Sequence, residues 1–261
     1  MSEIKRPTYQ TGDPVFEEKI ESLLTEWGVT DDLDTYRQMM VTVLKLARDE
    51  PHPADLRLFK NAFKEMRYAD KIFKPYRNVK KISVFGSART PPTEPEYQTA
   101  FKFAERMRQD GFMIITGGGD GIMGAAQAGA GREDSFALNI TLPFEQDANE
   151  TIRGDHKLVL FKYFFTRKVN FVKNSDAVTL CPGGFGTMDE GFETITLLQT
   201  GKAPIIPIVF LDAPGGNFWN TFVRYLKEHL LQDGLISASD FHLFKVTDDI
   251  EVARREIVNF Y

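Results

Sequence analysis

Two segments of this chain share one construction: a short apolar run, a glycine-rich loop, and the opening of a helix. In the first, Phe112-Met113-Ile114-Ile115-Thr116 leads into Gly117-Gly118-Gly119-Asp120-Gly121-Ile122-Met123-Gly124 and an Ala/Gly-rich stretch. In the second, a β-rich stretch ends in Leu180-Cys181-Pro182-Gly183-Gly184-Phe185-Gly186-Thr187-Met188-Asp189-Glu190. Residues without a Cβ let the backbone approach an anion closely, and the unpaired amides that open a helix aim partial positive charge at the same place. Thr187 adds a hydroxyl, and Glu190 follows it with a carboxylate. A Pro-Gly-Gly run alone is as readily a tight turn between strand and helix. Its recurrence in a second strand, loop and helix unit points instead to two phosphate cradles on one sheet, and to chemistry on a phosphorylated sugar.

The surrounding pattern says what kind of sheet this is. From residue 80 onward, short apolar strands are expected at Lys81 to Phe85, Phe112 to Thr116, Ser135 to Leu142, Val159 to Phe161, Ala177 to Cys181 and Ile205 to Phe210. Helices are expected between and after them at Glu96 to Gln109, Ile122 to Ala130, Phe165 to Lys173, Met188 to Leu198, Asn217 to Leu231 and Ile250 to Asn259. Continuous apolar strands alternating with helices call for an α/β fold, a Rossmann-like doubly wound parallel sheet with helices on both faces. Ligands of such sheets sit at the carboxyl ends of the strands, near the switch point, where both glycine loops and Ser87 fall. The first strand is followed by Gly86-Ser87-Ala88-Arg89 rather than Gly-x-Gly-x-x-Gly, which argues against NAD, and no Gly-x-x-x-x-Gly-Lys-Ser/Thr run marks a P-loop.

Residues 1–75 read differently, as a helical N-terminal extension ahead of a catalytic domain at 76–261. Helices are expected at Phe16 to Trp27, Asp34 to Arg48 and Ala54 to Phe73, with Asp31, Asp32 and Asp34 as N-cap candidates and Pro51 and Pro53 as breaks. The apolar positions Leu56, Phe59, Phe63, Met66, Ile72 and Phe73 are expected to bury against the main domain or a second subunit.

Composition closes off several function classes. A net charge of −5 and a pI near 5.5 give no basic field for nucleic acid or an anionic membrane, so any anion must be bound locally. No run approaches the roughly 20 apolar residues of a membrane span, and Met1 to Pro7 lacks the apolar core of a signal peptide, so a cytoplasmic protein is expected. The single cysteine, Cys181, can form no internal disulfide and is expected to pack at the end of a buried strand. His52, His156, His229 and His242 are scattered without metal-ligand spacing, so no metal site is expected.

Taken together, Ser83-Val84-Phe85-Gly86-Ser87-Ala88-Arg89, the loop at 117–124, Arg167-Lys168 and Pro182-Gly183-Gly184-Phe185-Gly186-Thr187 with Glu190 resemble the LOG (Lonely Guy) family. These are cytokinin-activating phosphoribohydrolases, many of which carry a lysine decarboxylase label. The resemblance covers about residues 80–212. It implies a cofactor-free enzyme that cleaves the N-glycosidic bond of a nucleoside 5′-monophosphate, a cytokinin riboside monophosphate or AMP, to free base and ribose 5-phosphate. It also implies a homodimer or larger assembly. By motif the family's catalytic residues fall on Arg167 and Glu190. Substrate and phosphate contacts are expected from Ser87, Gly118, Gly119, Gly121, Met123, Lys168, Gly183, Gly184, Gly186 and Thr187, with Phe164 beside Met123 in the base pocket.

The residues support that chemistry on their own terms. A carboxylate one turn beyond a phosphate cradle reaches the ribose, where negative charge stabilises an oxocarbenium-like transition state. Taken alone, Glu190 is more often a helix N-terminal carboxylate favoured by the dipole, and Arg167 more often a surface ion-pair partner; the family resemblance reverses that weighing. Arg167 is permanently charged, so its role is to orient Glu190 and contact substrate rather than to donate a proton. Asp189 and Asp120 are both open as donors to the leaving base. Nothing beyond the presence of lysines supports a Schiff-base or PLP reading. Two alternatives stand beside the phosphoribohydrolase: a broad purine nucleotide nucleosidase, and a non-catalytic molybdenum cofactor carrier using the same cradle, which would not need Arg167 and Glu190.

Overall fold

The computed structural model describes residues 9–141 and 147–261. Met1 to Pro7 and Leu142, on which two of the expectations above fall, lie outside them.

Period-two alternation along the strands sets the architecture. Seven described strands, β1 (Lys81–Phe85), β2 (Met113–Thr116), β3 (Ser135–Ile140), β4 (Leu158–Phe161), β5 (Ala177–Leu180), β6 (Ile208–Leu211) and β7 (Lys245–Thr247), form one sheet in the order β4-β3-β2-β1-β5-β6-β7. Every pairing is parallel. The chain winds outward from β1 to β4, returns to β5 beside β1, and winds outward the other way, so the switch point lies between β1 and β5. The expected Rossmann-like doubly wound sheet is what forms.

Alternate residues of β1, β2, β5 and β6 feed two cores. Ile82, Val84, Ile114, Val209 and Leu211 face a layer built by α4 (Pro95–Gln109), α5 (Ile122–Ala130) and α9 (Ile250–Val258), through Phe103, Met107, Ala125, Ala126 and Ile257. Phe85, Ile115, Phe136, Val178 and Phe210 face the other way, against Phe73 of α3 (Pro53–Phe73), Phe171 of α6 (Phe164–Asn174), Leu198 of α7 (Phe185–Gln199) and Trp219 of α8 (Phe218–Tyr225). Burial of both sheet faces is the reason the strands read as continuous apolar runs.

Five local expectations need correction. The helix after the second glycine loop begins at Phe185, not Met188, because Gly184 is already its N-cap. The helix expected at 217–231 is α-helical only to Tyr225 and continues as a π-helical turn over Leu226–Leu231. The edge strand β7 is too short and too polar to announce itself in the sequence. The strand expected at Ile205 to Phe210 runs instead over Ile208–Leu211. Of the apolar positions of the third helix, Phe73 is buried within the chain, and Leu56, Phe59 and Phe63 are exposed on the single chain.

Contacts divide the chain into two units, one ending at Asn61 and one spanning Ala62–Tyr261. In the first, α1 (Pro14–Glu26) and α2 (Leu33–Arg48) pack through Ile20, Leu24 and Val41. Asp13 caps α1 by accepting from the Val15 amide at 2.9 Å, and Arg37 ties the helices by donating to Glu17 at 2.9 Å. Asp32 stands at the N-cap of α2 without a capping side-chain bond. No described helix is long and apolar enough to cross a membrane.

Candidate active site

Three loops leave the carboxyl ends of β1, β2 and β5 side by side, and Ser87 binds them together. Its amide donates to the Pro182 carbonyl at 3.1 Å, its carbonyl accepts from the Ile122 amide at 2.9 Å, and its hydroxyl accepts from the Arg89 amide at 3.0 Å. The β1 loop is thereby fixed both to the opening of α5 and to the loop after β5. Gly121 makes this possible: its φ is +64°, and a Cβ there would collide with the Ser87 carbonyl oxygen.

The loop after β2 is held from below. The Gly118 amide donates to Thr116 Oγ1 at 2.9 Å. The Asn149 side chain donates to the Gly118 and Gly119 carbonyls at 3.1 and 2.9 Å and to Gln127 Oε1 at 2.6 Å, while the Asn149 amide donates to the Gly118 carbonyl at 2.9 Å. Gln127 in turn donates to the Phe136 carbonyl at 3.0 Å. Gly118, Gly119 and Gly121 are buried, and the Gly119 and Gly121 amides donate to no described residue. Asp120, between them, is exposed.

The loop after β5 is open. Gly184 and Gly186 are exposed, and Phe185 is 97% exposed. The amides of Phe185, Gly186 and Thr187, the first turn of α7, find no acceptor among the described residues, and Met188 is the first to bond back, to the Gly184 carbonyl at 3.1 Å. Three such amides with the positive end of a helix behind them, on a surface open to solvent, are groups that can receive an anion. Gly183 and the buried Thr187 side chain line its base.

Arg167 and Glu190 converge beside this opening. Arg167, on the first turn of α6, donates through Nε to the Leu138 carbonyl at 2.8 Å and lies over the Phe171 ring at 5.2 Å. A Cβ on Gly117 would stand 2.7 Å from both Arg167 Nη2 and Met123 Sδ, so that glycine is the floor on which both side chains rest. Burial holds the guanidinium below its ordinary value, with Glu190 and Asp189 pulling the other way. Glu190 is 7% exposed, and its carboxylate has no hydrogen bond or ion pair among the described residues. Burial therefore pushes the carboxyl up to about 7, against the opposing pull of Arg167 and Lys168. A carboxyl poised there can serve as an anion or carry a proton near neutral pH.

The ammonium of Lys168 sits on carboxylates of α7, 2.8 Å from Asp189 Oδ1 and 3.2 Å from Glu193 Oε2, and so braces α6 against α7. Phe164 is exposed and Met123 half-buried. Cys181 is fully buried, and burial pushes its thiol up to about 12, which makes it a packing residue. No group of His, Cys, Asp and Glu that could hold a metal occurs among the described residues.

Comparison with known proteins decides the family. The family model described as "Possible lysine decarboxylase" matches residues 123–257. The chain belongs to that family, the LOG family. Among its relatives, cytokinin riboside 5′-monophosphate phosphoribohydrolase LOG1 of Arabidopsis thaliana is 26% identical over 168 residues, covering 63% of this chain and 76% of the relative. LOG5 of the same plant is 24% identical over 166 residues, covering 63% and 71%. The probable phosphoribohydrolase LOGL5 of Oryza sativa subsp. japonica is 31% identical over 164 residues, covering 60% and 63%. Similar solved structures include the molybdenum cofactor binding protein of Rippkaea orientalis, with TM-score 0.46 and 17% identity over 69% of this chain and 94% of that one. The molybdenum cofactor carrier protein of Chlamydomonas reinhardtii has TM-score 0.46 and 18% identity over 69% and 99%.

Asn149 and Gln127 escaped the sequence reading of this LOG-family site. Asn149 follows no motif. Gln127 did leave a signal, a lone amide on an otherwise Ala/Gly helix face that has to be buried.

Proposed function

We propose that this protein is a phosphoribohydrolase, cleaving the N-glycosidic bond of a nucleoside 5′-monophosphate to free base and ribose 5-phosphate. The observation that carries this reading is the pairing of a buried Glu190, whose carboxylate has no partner among the described residues, with an exposed set of helix-opening amides on the same helix, with Arg167 beside them. The substrate's phosphate sits on the amides of Phe185, Gly186 and Thr187, with the Gly183 and Gly184 backbone and the Thr187 side chain around it. Glu190 lies further along α7, within reach of the ribose. As the C1′–N bond breaks, its electron pair leaves with the base and positive charge develops at C1′; ionised Glu190, itself buried, opposes that charge. Water adds to C1′ and the leaving base nitrogen takes up a proton, so the nucleotide and one water give the two products. Arg167, anchored at Leu138, supplies fixed positive charge that keeps Glu190 from rising further and contacts substrate. Ser87, Gly118, Gly119, Gly121 and Met123 shape the wall toward the base. Lys168 acts from behind, through α7.

The names of the relatives point to cytokinin riboside monophosphates as substrates, and AMP is the natural comparison. We further propose a homodimer or larger, supported by the exposed Phe164, Phe165 and Val169 on α6, and a cytoplasmic location for it.

The test is release of free base and ribose 5-phosphate from AMP and from isopentenyladenosine monophosphate, by the intact protein and by Glu190→Ala. Turnover that disappears in the variant is expected. Well-folded protein that turns over neither nucleotide would overturn the reading.

A further inference from the structure

The amino end of the sheet, opposite the glycine loops, holds a cavity of about 470 Å³ lined by Asp70, Arg77, Lys81, Lys173, Asn174 and Asp176 among others. It lies where the last turn of α3, the end of α6 and the starts of β1 and β5 meet. The size is that of a small-molecule site. Its charges are not mutually satisfied. Asp70 is shared by two cations, Lys173 at 3.0 Å and Arg77 at 3.3 Å. Asp176 accepts from the Lys81 amide at 2.8 Å. Lys81 is only 5% exposed, yet its ammonium makes one hydrogen bond, to the Val79 carbonyl at 2.6 Å, and no ion pair among the described residues.

An ammonium carries three donors, so two of those on Lys81 are unspent in a place where an unpaired charge is costly. Burial holds this lysine below its ordinary value, and Asp176 pulls the other way. Three cations against two carboxylates leave the cavity one positive charge in excess. Arg77 and Lys173 stand half-open at its rim, with 61% and 49% of their side chains exposed, and they can swing onto an entering anion. A planar guanidinium and two ammonium groups around one cavity suit a group with several acceptor oxygens and more than one negative charge.

We propose that this cavity is a second anion site that takes a phosphomonoester, with the Lys81 ammonium as its buried anchor and Arg77 and Lys173 closing over the phosphate. The site is separate from the one assigned to the reaction, with all of β1 and β5 between them. Bound phosphate there would join α6, which carries Arg167, to β5, which leads into the loop before Glu190.

Lys173 reports on occupancy without any substitution. Acetylation of the full chain by a water-soluble ester, quantified per lysine by mass spectrometry, is compared in inorganic phosphate, in ribose 5-phosphate and in sodium chloride of matched ionic strength. A probe at about ten times its dissociation constant is expected to slow Lys173 about tenfold relative to chloride, with the exposed Lys102 and Lys202 unchanged. Protection at a lower concentration of the sugar phosphate than of phosphate assigns the site to an ester; the reverse order assigns it to the free ion and overturns the phosphomonoester. Equal Lys173 rates in all three solutions overturn the site altogether. Lys81→Met is expected to remove the protection. Should that variant not fold, Arg77→Ala at the exposed rim replaces it, and protection that survives in the folded variant overturns the assignment of these residues.

Discussion

The two glycine loops are near-copies in sequence and opposites in structure. Apart from Asp120, the loop at 117–121 is buried and clamped through its carbonyls by Asn149, with Thr116 taking the Gly118 amide and Ser87 the Ile122 amide that follows. The loop at 182–186 is exposed from Gly184 to Gly186, is tied to Ser87 through the Pro182 carbonyl, and runs into a helix whose first three amides find no acceptor among the described residues. One loop is part of the core's hydrogen-bonding scheme; the other presents unused donors to solvent. The difference teaches that a glycine cluster after a strand has two physical uses, close packing and anion approach, and that what surrounds its carbonyls tells them apart. The clamped loop should therefore carry stability and the open one activity.

The largest effect expected on the open side is at Glu190. Glu190→Gln should lower turnover by about a thousandfold, the scale of a lost electrostatic contribution of roughly 4 kcal/mol. It should not cost stability. The folded carboxyl titrates at about 7 against an ordinary 4.5. Below 4.5 it is protonated folded and unfolded, and the native state bears no penalty. Between 4.5 and 7 the unfolded chain releases the proton first, so stability falls as pH rises, by roughly 3 kcal/mol at most once above 7. Glu190→Gln should thus raise the melting temperature at pH 8 and leave it nearly unchanged at pH 4. A variant that is inactive and also destabilised at pH 8 would break the comparison. In the intact protein, kcat/KM should climb with pH to a midpoint near 7.

Next in size is the contrast between adding one methyl to each loop. Gly121→Ala must hold a side chain at φ +64° and against Ser87. The expected cost is about 3 kcal/mol, or about 6–12 °C in melting temperature for a domain of this size. Gly186→Ala meets nothing within 4 Å and sits in a helical turn, so its stability should be unchanged or slightly raised. Its methyl projects beside the free amides instead, and KM for the nucleotide should rise. Thermal melts of the two proteins, alongside KM, sharpen or break the comparison directly.

Asn149→Ala probes the clamp itself. It orphans the side-chain bonds to two buried carbonyls and to Gln127. The expected loss is about 2 kcal/mol by denaturant unfolding, with turnover falling less than in Glu190→Gln.

Most of the frame was legible in the sequence, because strand burial on both faces and helix punctuation by glycine and proline leave strong local marks. The limits of β1 and α5 agree with the reading to the residue, and the carboxyl-end placement of both loops follows from the alternation alone. What stayed hidden depended on distant partners. The sequence places the start of α7 three residues late because Gly184, Phe185 and Gly186 look like a loop, and an almost fully exposed phenylalanine gives no helical periodicity. Asn149 clamps a loop some thirty residues before it. That the Glu190 carboxylate finds no hydrogen-bond partner among the described residues is a tertiary property; the motif marks the residue but not the burial that lifts its carboxyl.

The smallest expected effects test how the charges around Glu190 are arranged. Lys168 pulls its titration down, and Asp189 pushes it up. Lys168→Met should therefore move the rising limb of the pH profile to higher pH, and Asp189→Asn should move it to lower pH, each by a fraction of the shift that burial produces. Stability should barely respond, since a pair with an exposed carboxylate is worth less than about 1 kcal/mol. The opposite signs are the useful part. A change in helix packing caused by breaking the Lys168–Asp189 bridge would act alike in both variants, because both lose the same bridge, whereas a purely electrostatic influence on Glu190 must reverse direction. If both limbs move the same way, α7 has shifted, and the open loop owes its geometry to that bridge rather than to Gly184 and Ser87.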